Sequence, residues 1–144
     1  RLSGKVSALE AMAAVEAVAP AMEVIDSRYE NFKFALPDVV ADNTSSSGLV
    51  IGAWRSPEID VSNLGMVLSV NGRPKEIGSS AAILGHPLRS LVAAARMSAE
   101  WGEALEPGHI VMAGGATAAH PASIGETISL EVQNLGGVSI NVET

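Results

Sequence analysis

From Thr127 to Val142 apolar and polar side chains alternate, with a break only at Asn134-Leu135-Gly136-Gly137. Successive residues of a strand point to opposite faces, so Ile128, Leu130 and Val132 share one face, and Thr127, Ser129, Glu131 and Gln133 the other. Val138, Ile140 and Val142 repeat the pattern after the break. A slip of one residue would turn the whole apolar set into solvent, which pins the register. The stretch therefore reads as a β-hairpin with one face committed to a core. A second hairpin is signalled by Asn71-Gly72, a dipeptide that readily takes positive φ at both turn positions, between Met66–Val70 and Lys75–Ile77.

Two helices accompany these strands. Ser7-Ala8-Leu9-Glu10 has the form of a capping box, and Leu9, Met12, Ala13 and Glu16 follow at helical spacing, which predicts a helix from Ala8 to Ala19 ahead of Pro20. Leu91, Ala94, Ala95, Met97 and Ser98 cluster on a helical wheel over Leu88–Trp101, with Gly102 placed to end that helix. Short buried strands are expected at Glu23–Ile25, Leu49–Trp54 and Ile110–Ala113. Asp26–Asp38 reads as a long loop, and Asp42–Gly48 as a polar turn. Adjacent strands joined by hairpins, outnumbering the helices, give an α+β fold: a mostly antiparallel mixed sheet with two main helices in one domain, residues 1–144.

Composition narrows the function. With 47% hydrophobic and 17% charged residues the chain of 144 can bury a core. Its net charge of −7 and nine scattered Lys and Arg exclude a phosphate-tracking surface, so no nucleic-acid partner is expected. The absence of cysteine removes disulfides and thiolate metal sites, in keeping with a cytoplasmic setting. No apolar run approaches the roughly 20 residues of a membrane span.

Phosphate loops, dinucleotide fingerprints, the His-Glu-x-x-His zinc signature and the Gly-x-Ser-x-Gly elbow are all missing. His86, His109 and His120 sit in turn-like contexts without common spacing and read as solvated. Gly114-Gly115 after a strand offers backbone N–H groups to an anion, though a plain turn accounts for it equally well. Trp54 and Trp101 read as core or interface residues. The residue that stands out is Glu23, between Ala21-Met22 and Val24-Ile25. A carboxylate in an apolar strand needs a counter-charge or a metal ion.

The run Pro20–Ser47, together with Gly78–Pro87, Gly102–Gly108 and Ala113-Gly114-Gly115, resembles the fumarylacetoacetate hydrolase superfamily over essentially the whole chain. Within it the chain is most similar to the branch acting on 2-oxo-enoates in the meta-cleavage degradation of aromatic compounds. Asp26–Phe34 and Leu88–Arg96 are more similar to the decarboxylating than to the hydrating members. The resemblance implies a fumarylacetoacetate hydrolase-like fold and a divalent cation, Mg²⁺ or Mn²⁺, held by three carboxylates. Of these, Glu23 matches one, and a Glu-x-Glu pair supplies the others. A hard cation prefers carboxylate oxygens and leaves positions where a 2-oxo acid chelates. Ser45 matches a substrate-contacting position, with Asp42 and Asn43 as supports of its loop or as a polar turn that caps its own backbone. Arg28 and Lys33 are placed to lend charge to a dianionic substrate, or to lie solvated at the surface. Homo-oligomers, and a complex with a partner hydratase, are also implied.

The Glu-x-Glu pair, and the Lys and Asp to which the family assigns proton transfer, have no match here. Glu10 and Glu16 lie at helical spacing and are not that pair. The expectation is a C-terminal catalytic-type domain of a longer enzyme, truncated at its N-terminus and inactive by itself. The other reading is a non-catalytic assembly module.

Overall fold

The two hairpins form a single four-stranded sheet. A computed structural model describes residues 1–144, with α1 at Ala8–Ala13, β1 at Ala21–Ile25, α2 at Leu36–Ala41 and β2 at Ser46–Ile51. β3 at Gly65–Val70, β4 at Arg73–Ser79, α3 at Leu88–Glu100, β5 at Thr127–Val132 and β6 at Gly136–Asn141 complete it. The strand order is β4-β3-β5-β6, while β1 and β2 pair in a separate ribbon, and every pairing is antiparallel. The expected α+β arrangement of mostly antiparallel sheet with few helices is what the structure has, and its strand pairings are all antiparallel.

The turn chemistry explains the sheet. Asn71 and Gly72 both take positive φ, 51° and 73°, which lets two residues close β3 onto β4 with the twist of the strands. Asn71 also exchanges bonds with β5. Its N–H donates to the Thr127 carbonyl at 2.8 Å, and its Oδ1 accepts the Thr127 N–H at 2.9 Å. On the core face Leu68 lies opposite Leu130 and Val70 opposite Ile128. Ile128, Leu130 and Val132 are buried with Met22, Leu64, Val70 and Leu135 in the main apolar cluster.

A second, smaller core is helical. Ala11 of α1 and Ala95 of α3 are fully buried against each other's surroundings together with Leu2, flanked by Val6, Leu91, Val92 and Leu105. Small residues at the crossing let the backbones approach, and Gly4 N–H donates to the Ala95 carbonyl at 3.1 Å. α3 runs as its periodicity predicts and stops where Gly102 takes φ 78°.

Several local expectations are overturned. The first helix ends at Ala13, six residues short of Ala19. Val18 exchanges two backbone bonds with Arg55, at 3.1 and 2.7 Å, and the Pro20 carbonyl accepts the Gly52 N–H at 2.8 Å. Extended pairing, with the restriction Pro20 places on its predecessor, wins over helical propensity. The loop over Asp26–Asp38 contains the start of α2, whose Pro37 lies in the first turn where its missing N–H costs nothing. Of β1 only Met22 is buried, so the Glu23–Ile25 stretch is not a buried strand. Ile110–Ala113 belongs to no strand.

Two general properties bear on the site. The chain exposes 9317 Å², whereas a monomeric globular protein of its mass, 14.8 kDa, exposes about 7,000 Å² by the usual surface scaling. No helix is long and apolar enough to cross a membrane.

Candidate functional site

The polar connection between β1 and β2 is organised around Asp42. Its carboxylate is almost wholly buried, with the side chain 4% exposed. Oδ1 accepts the Arg28 Nε–H in an ion pair. Oδ2 accepts the Arg28 backbone N–H at 3.2 Å and the Ser45 hydroxyl at 3.1 Å. The Arg28 guanidinium also donates to the carbonyls of Asp42, Asp26 and Ser46, so one side chain ties together both ends of the connection. Burial pushes the Asp42 carboxyl up, but the Arg28 N–H and guanidinium and the Ser45 hydroxyl outweigh it and hold the group below the usual carboxylate range.

This clamp holds an unusual turn. Asn43, Thr44 and Ser45 all take left-handed φ, 51°, 56° and 58°. Such a conformation costs about 1–3 kcal/mol at each non-glycine residue and persists only where its surroundings enforce it. The Ser45 N–H donates to the Asp42 carbonyl at 3.0 Å, and the Ser45 carbonyl accepts the Asp26 N–H at 2.8 Å. Ser45 is buried while Asn43 is exposed.

Glu23 lies on β1 opposite Leu49 of β2. It is solvent-exposed, which corrects the expectation of a carboxylate enclosed by apolar neighbours. It is among the residues that line a cleft of about 1540 Å³, larger than the roughly 300–1,000 Å³ of ordinary ligand pockets. The cleft walls come from β1, the core face of the sheet and the segment Ile110–Ala122, and they are mainly apolar. Glu16, Asp26, His109 and His120 line it as well.

Nowhere do three or more His, Asp or Glu side chains converge as metal ligands would. Glu23 supplies one hard oxygen donor at the cleft wall, and a Mg²⁺-like ion needs more than one such ligand to offset the loss of its waters. These 144 residues therefore contain part of a cation site at most.

The predicted site residues fall into two groups. Glu23 lines the cleft, whereas Asp42, Asn43 and Ser45 belong to the β1–β2 connection and are not among its lining residues. Ser45 is nonetheless bonded to Asp26, three residues beyond Glu23, and Ser46 pairs with Ile25. The Arg28 guanidinium donates to the Asp42 carboxylate and to three carbonyls, and its side chain is half exposed. Of the histidines, His120 departs from the solvated reading. Its Nε2 lies 3.3 Å from Glu126 Oε2 and both side chains are about four-fifths buried. The Ser123 N–H holds Glu126 below the usual carboxylate range against the effect of burial, with help from His120 and Lys75. The Arg28–Asp42 pair was missed in the sequence because the partners lie 14 residues apart, across α2.

The profile described as fumarylacetoacetate (FAA) hydrolase C-terminal matches residues 1–143. A 4-oxalocrotonate decarboxylase of Pseudomonas sp is 64% identical over 141 residues, covering 98% of this chain and 55% of that protein. A 2-keto-4-pentenoate hydratase of Paraburkholderia xenovorans (strain LB400) is 34% identical over 137 residues, 94% of this chain and 51% of that one. Among solved structures, the 4-oxalocrotonate decarboxylase from Pseudomonas putida G7, complexed with magnesium and adipate, superposes with a TM-score of 0.91 at 42% identity. That match covers 98% of this chain and 56% of the other. The chain thus spans about half the length of the curated relatives it matches.

Proposed function

Because the chain belongs to the fumarylacetoacetate (FAA) hydrolase C-terminal family, we propose that it forms part of a carboxy-lyase acting on 4-oxalocrotonate (2-oxohex-3-enedioate) in the breakdown of aromatic compounds. In that reaction the bond between the distal carboxylate and its carbon breaks and CO₂ leaves. The electron pair moves through the conjugated system toward the 2-oxo group, and protonation gives 2-oxopent-4-enoate or its enol. A divalent cation, Mg²⁺ or Mn²⁺, would act as Lewis acid on the 2-oxo group.

The observation that carries this reading is Glu23, an uncompensated carboxylate at the wall of the large cleft, in a chain 64% identical to a decarboxylase. Glu23 is assigned as one cation ligand. Ser45, with Asn43 and the Asp42 that fixes their turn, is assigned to the substrate end of the site. The Ser45 hydroxyl proton is committed to Asp42, so toward a substrate it offers acceptor capacity. Identity of 64%, 46% and 45% to three decarboxylases, against 34% to a hydratase, favours CO₂ loss over water addition. A homo-oligomer, and association with a partner hydratase, belong to the same proposal.

Two measurements test it. A protein carrying these residues together with the rest of the relatives' length is expected to release CO₂ from 2-oxohex-3-enedioate in the presence of Mg²⁺. Its Glu23→Gln variant should lose at least a hundred-fold in kcat/KM, and hydration of 2-oxopent-4-enoate as the faster reaction would overturn the assignment. The 144-residue chain alone should titrate with Mg²⁺ or Mn²⁺ only weakly, so micromolar affinity would sink the single-ligand account.

A further inference from the structure

The substrate proposed above carries two carboxylates, and the cation assigned to Glu23 accounts for one of them. A second negative charge in a mainly apolar cleft needs a donor or counter-charge of its own. Of the residues that line the cleft, only Arg1, His109 and His120 can carry positive charge. Arg1 is paired with Glu106 at 2.9 Å and its side chain lies mostly in solvent. His109 is exposed, and its Nδ1 accepts the Glu106 N–H at 3.2 Å. His120 is the one of the three that is largely out of water.

The His120 ring is held in a fixed frame. Glu126 Oε2 lies 3.3 Å from His120 Nε2 and accepts the Ser123 N–H at 2.9 Å. An ionised carboxylate can only accept, so the proton of this bond sits on Nε2. The Glu126 backbone is anchored in turn: its carbonyl accepts the Val142 N–H at 2.9 Å, and its N–H donates to the Ser123 carbonyl at 3.1 Å. A hydrogen bond at one imidazole nitrogen fixes the role of the other. Nδ1 makes no hydrogen bond, and no buried side-chain polar atom of the chain lacks a partner, so Nδ1 reaches accessible surface.

We propose that His120, oriented by Glu126, recognises the distal carboxylate of a 2-oxo diacid bound in the cleft, donating to it from Nδ1–H as an imidazolium. The proposal rests on the substrate class given above. Both nitrogens of an imidazolium donate, so the ring bridges two carboxylates, with Nε2–H on Glu126 and Nδ1–H on the ligand. Glu126 is then a positioning residue. The contact belongs to the ground state: as CO₂ leaves, the distal carboxylate loses its charge and its attraction to His120. Such an interaction strengthens substrate binding without lowering the barrier from the bound complex.

Binding of two ligands tests this apart from turnover. 2-Oxohexanedioate and 2-oxopentanoate share the 2-oxo acid end and differ only in the distal carboxylate. Both are titrated calorimetrically, with Mg²⁺, into the protein that carries these residues together with the rest of the relatives' length. His120→Leu should weaken the diacid by at least about ten-fold, the effect of losing one charge-assisted hydrogen bond, and leave the monoacid within about two-fold. His120→Gln keeps an N–H donor and should lose less, while Glu126→Gln should fall between the parent and His120→Leu. An equal change for the two acids in both His120 variants, or no change for either, would overturn the proposal. With 2-oxohex-3-enedioate as substrate, His120→Leu should raise KM without lowering kcat, and a fall in kcat at unchanged KM would also overturn it. Failure of the parent protein to release CO₂ would count against the proposed reaction alone, because the preference for the diacid is read without turnover.

Discussion

At the scale of single residues, Asp42 shows how a buried carboxylate is kept charged. Its oxygens accept from Arg28 twice and from the hydroxyls of Ser45 and Ser27, and the bonds from Arg28 and Ser45 outweigh the cost of leaving water. A carboxyl whose pKa is lowered in the folded state stabilises the fold above its unfolded value, near 4. It loses that contribution as the pH falls through the lower folded value. Asp42→Asn should therefore be less stable than the parent at pH 6 and lose less stability on acidification between pH 5 and pH 2. Glu10, Asp60 and Glu126 are lowered too, so the slope shrinks without vanishing. Urea midpoints measured across that range decide it, since parallel profiles for the two proteins would show that Asp42 is not held by these bonds. Little of this was legible in the sequence. The polar run Asp42–Ser47 announced a turn, but the left-handed Asn43-Thr44-Ser45 and the choice of Arg28 as partner depend on α2 folding the connection back on itself. Glu23 was singled out for its apolar neighbours, and those neighbours turned out to leave it exposed.

At the scale of elements, what the sequence revealed were the pieces whose local chemistry and tertiary role agree. The hairpin at Asn71-Gly72 has the turn residues its φ values demand, and β5 and β6 carry a two-residue period that matches their burial. The first helix was overestimated because Val15–Ala19 is compatible with a helix locally, while Arg55 and Gly52, far along the chain, draw it into extended pairing. Ile110–Ala113 was read as a strand for its composition, and it lacks only the ladder. Gly78 supplies a prediction at this scale. Gly78→Ala puts a methyl group against the Ala116 carbonyl, and either β4 or the Ala113–Thr117 segment must shift. Overpacking of this kind costs about 1–3 kcal/mol. Gly72→Ala meets nothing within 4 Å, but it stands at φ 73° and should cost about 1 kcal/mol through the backbone alone. Denaturant midpoints of both variants check the order, and a neutral Gly78→Ala would mean that the segment is not anchored on β4. Leu130→Ala, at the centre of the main cluster, should cost about 2–5 kcal/mol in the same assay.

At the scale of the whole molecule, the chain has two apolar clusters and little to couple them. Seven buried residues hold the sheet, three hold α1 against α3, and no residue is shared between the two sets. The links from the helices to the sheet run through irregular segments, including the Ser90 bond to Ala113, whose own backbone is unpaired. Local stability follows the density of buried apolar contacts, so the two clusters should open as separate units. Leu68 and Leu130, paired at the centre of the sheet, sit where opening requires loss of the larger core. Ala95 is fully buried, yet it belongs to a cluster of three, and its helix can detach while the sheet survives. Native-state hydrogen exchange in the isolated chain should therefore resolve two groups: amides of β3 and β5 with the higher opening free energy, and amides of α3 with a lower one. Leu130→Ala should lower the first group, and leave the α3 amides unchanged for as long as their opening stays the easier. A single opening free energy shared by α3, β3 and β5 would mean that the 144 residues unfold as one cooperative unit, and that the cleft between the clusters is bridged more firmly than its side chains suggest.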